Sequence, residues 1–123
     1  MWEFPNGFTL APLAAAMKDL GLTPPERPNV EASARDAMQR IWKAAGLTAI
    51  ETEVIRIRVD FSSFDDFWDS NTLPVGPSGK ALSELTPTVR EQLKTKVRER
   101  LPIAADGSIA YEAFANAVKG VVP

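Results

Sequence analysis

The sequence predicts a small α+β domain (an α/β fragment), and three observations lead to that prediction. Residues 49–61 alternate apolar and charged side chains with period two from Glu53 onward, which is typical of a strand. Apolar residues recur at spacings of three and four in four other segments, which predicts four amphipathic helices. The second of these helices runs within a few residues into the strand, as in an α/β unit.

The composition fits one globular domain spanning residues 1–123. Hydrophobic residues make up 45% of the chain and charged residues 24%, and the formal net charge is −2. This balance favours neither nucleic acid nor an anionic membrane as a partner. Cysteine and histidine are absent, so the chain offers no thiol nucleophile and lacks the commonest general base and transition-metal ligand. We expect no metal site.

No apolar run approaches the ~20 residues that a membrane span needs. The first eight residues, MWEFPNGF, carry no basic region of the kind that opens a signal peptide. We therefore expect a cytoplasmic protein.

Start and stop signals bound the four helices. The first runs from a Thr9 cap to about Leu20, the second from Glu31 to Ala45, the third from Phe64 to about Ser70 after a Ser63 cap, and the fourth from Pro87 to near Arg100 after a Thr86 cap. The predicted buried stripe of the second helix consists of Ala34, Met38, Ile41, Trp42 and Ala45. The exposed side of the fourth helix is basic, and we interpret it as a solvated face.

Two segments can each be interpreted in two ways. Residues 71–80, NTLPVGPSGK, are predicted to be a turn-rich loop. Its GPSGK run is not a phosphate-binding loop, because Ala81 follows the lysine and a helix, not a strand, precedes the run. Residues 108–118, SIAYEAFANAV, fit both a helical stripe and a strand face, and the alanine content leans toward helix.

Two groups of aromatic residues are candidate functional features. One group lies in the first eight residues and includes Trp2 and Phe4. The other consists of Phe64, Phe67 and Trp68, which share one helical face. Each group either packs onto the core or lines an apolar ligand pocket.

Several motifs in order make the chain resemble a known family. They are AGL at 45–47 before the long strand, FSSFDDFW at 61–68, Gly76-Pro77, and DGSI at 106–109 followed by an alanine-rich end with Lys119-Gly120. This order resembles the C-terminal portion of a class I S-adenosylmethionine-dependent methyltransferase of the type 11 group. Residues 2–8 are similar to the segment that follows the central strands of that fold.

The resemblance implies a place in the fold for residues 49–61 and for residues 108–119. Residues 49–61 would be the sixth strand of a seven-stranded sheet, and residues 108–119 the seventh strand, antiparallel to the sixth. This implication overrides the helical leaning of residues 108–118. Residues 64–101 would be a helical insertion between the two strands, on the substrate side.

The resemblance also implies methyl transfer from S-adenosylmethionine, but the segment that binds this cofactor in the family is not found in these residues. The family binds S-adenosylmethionine through a glycine-rich turn after a strand, and no such unit occurs in these residues. We therefore expect no cofactor-binding, catalytic or metal-binding residue, and no cofactor for this chain alone. By resemblance to the family, the residues that would line the pocket for the methyl acceptor are Trp2, Phe4, Phe64, Phe67 and Trp68.

Two functions follow as expectations. The first is the substrate-side region of a methyltransferase, not catalytic alone, which acts on a small-molecule acceptor. The second is a stand-alone oligomeric binding or assembly protein. In both, the edge of strand 49–61 would pair with another chain, in a two-fold homodimer or with a chain that supplies the cofactor-binding half. We expect no nucleic-acid or membrane partner.

Overall fold

A computed structural model describes all residues, 1–123. The α+β class is confirmed, with five α-helices and one two-stranded antiparallel sheet. The elements are α1 (Ala11–Asp19), α2 (Arg35–Ala44), β1 (Thr48–Phe61), α3 (Phe64–Asn71), α4 (Gly76–Ser83), α5 (Pro87–Arg100) and β2 (Ile109–Val121), with a 3₁₀ turn at Val30–Ser33. None of the helices is both long enough and apolar enough to cross a membrane.

The chain divides into two compact units, and both strands contribute to each. The strand unit comprises Met1–Thr9, Arg27–Arg58 and Glu112–Pro123. The helical unit comprises Leu10–Glu26 and Val59–Tyr111.

The helical unit contains the main hydrophobic core. Helices α1 and α5 pack against each other, because each presents a stripe of apolar residues at helical spacing. Leu93 and Val97 of α5 are fully buried, as is Ala16 of α1. The core cluster also includes Leu13, Met17, Phe64, Phe67, Trp68, Leu82, Leu101 and Ile109.

The strand unit places backbone partners on both edges of β2. One edge pairs with β1. On the other edge, Met1 and Asn116 exchange two backbone hydrogen bonds, with N–O distances of 2.8 and 2.7 Å, and Trp2 forms an antiparallel bridge with Ala115. Gly7 adds a further hydrogen bond on this edge, since its carbonyl accepts from the Phe114 N–H at 2.8 Å. A Cβ at Gly7 would lie 2.5 Å from the Phe114 carbonyl oxygen, so a side chain does not fit there.

These pairings explain why residues 109–121 form a strand, as the resemblance implies and against the leaning of the pattern. The strand propensity of a sequence depends on its neighbours more than on its composition. Two paired edges satisfy the backbone of β2 around Ala115 and Asn116. The many alanines of β2 are therefore compatible with a strand.

The second predicted helix is shorter than expected, and its buried face differs. A 3₁₀ turn ends at Ser33, and Ala34 takes an extended conformation (φ −69°, ψ 141°) before α2 begins. The Ser33 hydroxyl donates to the Val30 carbonyl at 2.6 Å and accepts from the Phe4 N–H, which holds the turn in place. The predicted stripe is wrong at Ile41, which is 51% exposed, and at Ala45, which is exposed. Ala37 is the buried residue of α2.

The prediction of a loop over residues 71–80 is wrong from Gly76 onward, where α4 begins. Pro77 lies in its first turn, a position that tolerates the missing N–H. Gly79 is buried, and a Cβ there would lie 2.0 Å from the Leu73 carbonyl oxygen. The glycine that suggested a loop is therefore required by close packing within a helix.

Candidate functional site

Helix α3 is held by a capping network at its first turn. The Ser63 hydroxyl accepts from the Asp66 N–H at 3.0 Å, and the Asp66 carboxylate accepts from the N–H and the hydroxyl of Ser62. The hydrogen bonds from Ser62, of which that of the N–H has the largest effect, lower the pKa of Asp66 below its usual value. The predicted cap is confirmed, and it fixes where the aromatic face of α3 begins.

The three aromatic residues of α3 lie together in the core of the helical unit. Phe67 is fully buried, and Phe64 and Trp68 are each 5% exposed. The Phe64 and Trp68 rings stack with centroids 6.2 Å apart. The interpretation that these residues attach α3 to the core is confirmed, and their role as lining of a substrate pocket stays a prediction.

The same cluster extends to residues near the strand ends. The Phe61 ring meets the Phe67 ring edge to face, with centroids 5.1 Å apart, and Tyr111 lies 6.5 Å from Phe61. Burial raises the pKa of Tyr111 to about 12. Phe61 and Tyr111 are partly buried and pack against the buried rings of α3, an arrangement that suits core packing.

Cationic side chains of α5 cover the aromatic face of α3. The Arg98 guanidinium carbon lies 4.3 Å from the Phe64 ring centroid. Over Trp68, the Arg90 guanidinium carbon lies at 5.6 Å and the Lys94 ammonium nitrogen at 5.8 Å. The sequence alone predicted a solvated face for these cations. Their spacing of four residues predicts that they share one face of α5, but it does not predict that aromatic rings lie against that face.

The other two candidate residues, Trp2 and Phe4, belong to the strand unit. Trp2 pairs through its backbone with β2. The Phe4 and Phe8 rings lie 4.9 Å apart, and the Arg27 guanidinium carbon lies 4.6 Å from the Phe4 centroid and 5.3 Å from that of Phe8. The five candidate residues thus form two groups, one in each unit.

A buried asparagine on β2 was not anticipated from the sequence. Asn116 is fully buried, and its amide nitrogen donates to the Glu3 carboxylate at 2.6 Å and to the Ser33 carbonyl at 2.9 Å. Its side-chain oxygen has no hydrogen-bond partner in the protein. The asparagine ties β2 both to residues 1–3 and to the 3₁₀ turn, so it positions the N-terminal aromatic group.

Three of the depressions on the surfaces of the units have linings that include none of the five candidate residues. On α5, Pro87, Thr88, Glu91, Gln92 and Thr95 line a volume of about 530 Å³. In the strand unit, volumes of about 420 and 310 Å³ lie beside α2 and across the strand pair. No three acidic side chains converge in the arrangement of a metal site.

Comparisons with known proteins find no match for this chain among protein-family models, curated proteins or solved structures.

Proposed function

We propose that this chain is the substrate-side, C-terminal region of a class I S-adenosylmethionine-dependent methyltransferase of the type 11 group. In this proposal it acts in the cytoplasm by completing the sheet of a cofactor-binding half and by helping to hold a small-molecule acceptor. The observation that carries the proposal is the arrangement of residues 1–3, β2 and β1 as successive neighbours.

Two features of the sheet support this assignment. The resemblance implies that the last strand runs antiparallel to the one before it, and β2 runs antiparallel to β1. The resemblance also places Trp2 directly after the central strands, and Trp2 pairs with Ala115 on the edge of β2 that β1 leaves free. A strand that leads into Met1 would therefore continue along the same edge.

The backbone of β2 indicates where that strand would bind. Phe114 and Asn116 direct their N–H groups to Gly7 and Met1. Because the direction of backbone groups alternates along a strand, Val118 and Gly120 direct theirs to the same edge. We assign these two residues as the attachment point for the cofactor-binding half.

The proposed role in the reaction is positioning and not acid–base chemistry. The sulfonium group of S-adenosylmethionine, when bound, supplies a strong electrophile, so that orientation of the acceptor contributes much of the rate. The residues that the resemblance assigns to the acceptor side are Trp2 and Phe4 in the strand unit, and Phe64, Phe67 and Trp68, which belong to the core of the helical unit. None of them has an acid–base group.

The test is calorimetric titration with S-adenosylmethionine and S-adenosylhomocysteine, first of this chain alone and then after mixing with a separately expressed cofactor-binding half from a methyltransferase of this group. We expect no heat from the chain alone up to about 1 mM ligand, and co-elution of the two halves on size-exclusion chromatography. Val118→Pro removes one N–H of the open edge and should abolish co-elution. Val118→Ala is the matched control and should preserve it.

Either of two results would contradict the proposal. Micromolar binding by the chain alone would mean that its own residues form a cofactor site. Failure of the wild-type chain to co-elute with the cofactor-binding half would mean that β2 does not complete such a sheet.

A second candidate, a stand-alone oligomeric binding or assembly protein, is favoured by the opposite edge of the sheet. The sheet has only two strands, so the outer edge of the 14-residue β1 has no strand partner. Ile55 and Ile57 in its middle are 51% and 41% exposed. An exposed, long edge with apolar side chains is a template for pairing with another chain. A two-fold dimer would join two copies of β1.

Light scattering at about 100 µM protein tests this candidate, since dimers of modest affinity form at that concentration. We expect a dimer mass for the wild type and a monomer mass for Ile55→Lys, because a charged side chain blocks edge pairing. Ile41→Lys is the matched control, since Ile41 on α2 is equally exposed. A monomer mass for the wild type would refute this candidate.

A further inference from the structure

The five cations of α5 divide into two classes by their partners. Arg100 forms an ion pair with Asp19, and Lys96 forms one with Glu99 at 3.2 Å. Arg90, Lys94 and Arg98, here called the cation row, face aromatic rings of α3. No carboxylate lies within ion-pair distance of any member of the row.

The geometry of the helix aligns this row. Residues four apart lie on one helix face, and at a rise of 1.5 Å per residue neighbouring members stand about 6 Å apart along the axis. Arg90 is additionally anchored, because its guanidinium donates to the Leu82 carbonyl at 3.3 Å. The rings of Phe64 and Trp68 hold the cations from one side, so less side-chain freedom is lost when an anion binds.

We propose that the cation row is a binding site for a small molecule with two neighbouring phosphate groups. The planar guanidinium groups of Arg90 and Arg98 have N–H donors around their rims, a geometry that suits phosphate oxygens. The Lys94 ammonium group lies between them as a point charge. Each phosphate group bridges two adjacent cations.

The charges of the chain favour a ligand of this limited size. The protein has a net charge of −2, so an extended polyanion would meet repulsion beyond the row. Exposed Glu91 lies one residue from Arg90 and forms no ion pair with the row. All contacts of the cation row lie within the helical unit, so phosphate binding there is independent of the methyltransferase proposal.

The test is a titration of the ¹⁵N-labelled chain with pyrophosphate at low ionic strength, followed by amide chemical shifts. We expect saturable shifts on α5 with a Kd of about 1 mM or below, and a weaker response to inorganic monophosphate. Arg98→Gln should weaken pyrophosphate binding about tenfold, as expected for one charge-assisted contact. Lys94→Gln should act in the same direction.

Lys96→Gln is the matched control, since it removes one charge from the same helix but outside the row. We expect less than about a twofold change for this variant, which alters only long-range attraction. The proposal is overturned if wild-type shifts are absent at about 10 mM pyrophosphate, or if Lys96→Gln weakens binding as much as Arg98→Gln. Tighter binding of a single-stranded oligonucleotide than of pyrophosphate would also overturn it, because the ligand would then be nucleic acid.

Discussion

Arg100 at the end of α5 forms a two-pronged ion pair with Asp19 at the end of α1. The guanidinium Nη2 donates to Asp19 Oδ1 at 2.8 Å, and Nε donates to Oδ2. The hydrogen bonds with Arg100 lower the pKa of Asp19, and the same contact raises the pKa of Arg100. Both helices belong to the packed pair of the helical unit, so this pair joins their last turns.

The stability of the protein should rise with pH through the acidic range. The pKa of Asp19 in the folded state lies below its ordinary value of 3.8, so the unfolded chain binds more protons between these two pKa values. The stabilisation is present above the ordinary pKa and is lost as the pH falls through the folded-state pKa. Asp66 and Asp106 are shifted in the same direction by hydrogen bonds from serines.

We therefore expect Asp19→Asn to flatten the dependence of the urea midpoint on pH between about 5 and 2. Asp36→Asn is the control, since Asp36 pairs with Arg40 at 3.5 Å on a highly exposed part of α2. Exposed pairs of that kind contribute little. Equal slopes for Asp19→Asn and the wild type would contradict the role of the pair.

Phe67→Ala should be among the most destabilising substitutions in the chain. The ring is fully buried and contacts the rings of Phe61, Phe64 and Tyr111. Truncation of such a ring costs about 3–5 kcal/mol of unfolding free energy through lost burial and the cavity left behind. Chemical denaturation followed by circular dichroism measures the loss, and Leu73→Ala, at a site that is 57% exposed, should change stability little.

Gly79→Ala should destabilise α4, although alanine is the better helix former. The new methyl group would lie 2.0 Å from the Leu73 carbonyl oxygen, so the turn at residues 73–74 would have to move. Overpacking of this kind costs about 1–3 kcal/mol, more than the gain in helix propensity of about 1 kcal/mol. Ser78→Ala, one position earlier, should be neutral or slightly stabilising. A higher melting temperature for Gly79→Ala would show that the close approach is wrong.

Tyr111 should ionise far above the ordinary tyrosine pKa of 10. It is the single tyrosine of the chain, so its ionisation can be followed directly by ultraviolet absorbance. We expect a midpoint near pH 12 for the folded protein, and near 10 in concentrated urea. Because the folded state retains the proton longer, stability should fall as the pH rises above about 10. A folded-state midpoint near 10 would mean that the aromatic cluster is open to water.

The sequence predicted best where the signal is local. The predicted Ser63 and Thr86 caps are present, with hydrogen bonds from the N–H groups of Asp66 and Val89. The predicted Thr9 cap is wrong, since the N-cap of α1 is Leu10 and no side chain caps that helix. The two caps that are present mark helices whose start depends on a side chain three residues before the bonded N–H. The class of the fold, and β1 with its period of two, follow from the same kind of pattern.

The sequence failed where distant residues decide the local conformation. The hydrogen bond from the Phe4 N–H to the Ser33 hydroxyl, 29 residues apart along the chain, holds the turn that shortens the predicted second helix. The cation row was missed for the same reason. The periodicity of α5 shows that these cations share one face, and only tertiary packing places aromatic rings beneath them.

The sequence by itself thus determined the elements whose stability comes from neighbouring residues, namely the capped helices and the alternating strand. The tertiary structure decided the strand at residues 109–121, because backbone pairing on both edges outweighs the weak propensity of alanine. It also decided which polar groups are buried. Asn116 lies 113 residues from Glu3 along the chain, and no local pattern encodes a contact of that range.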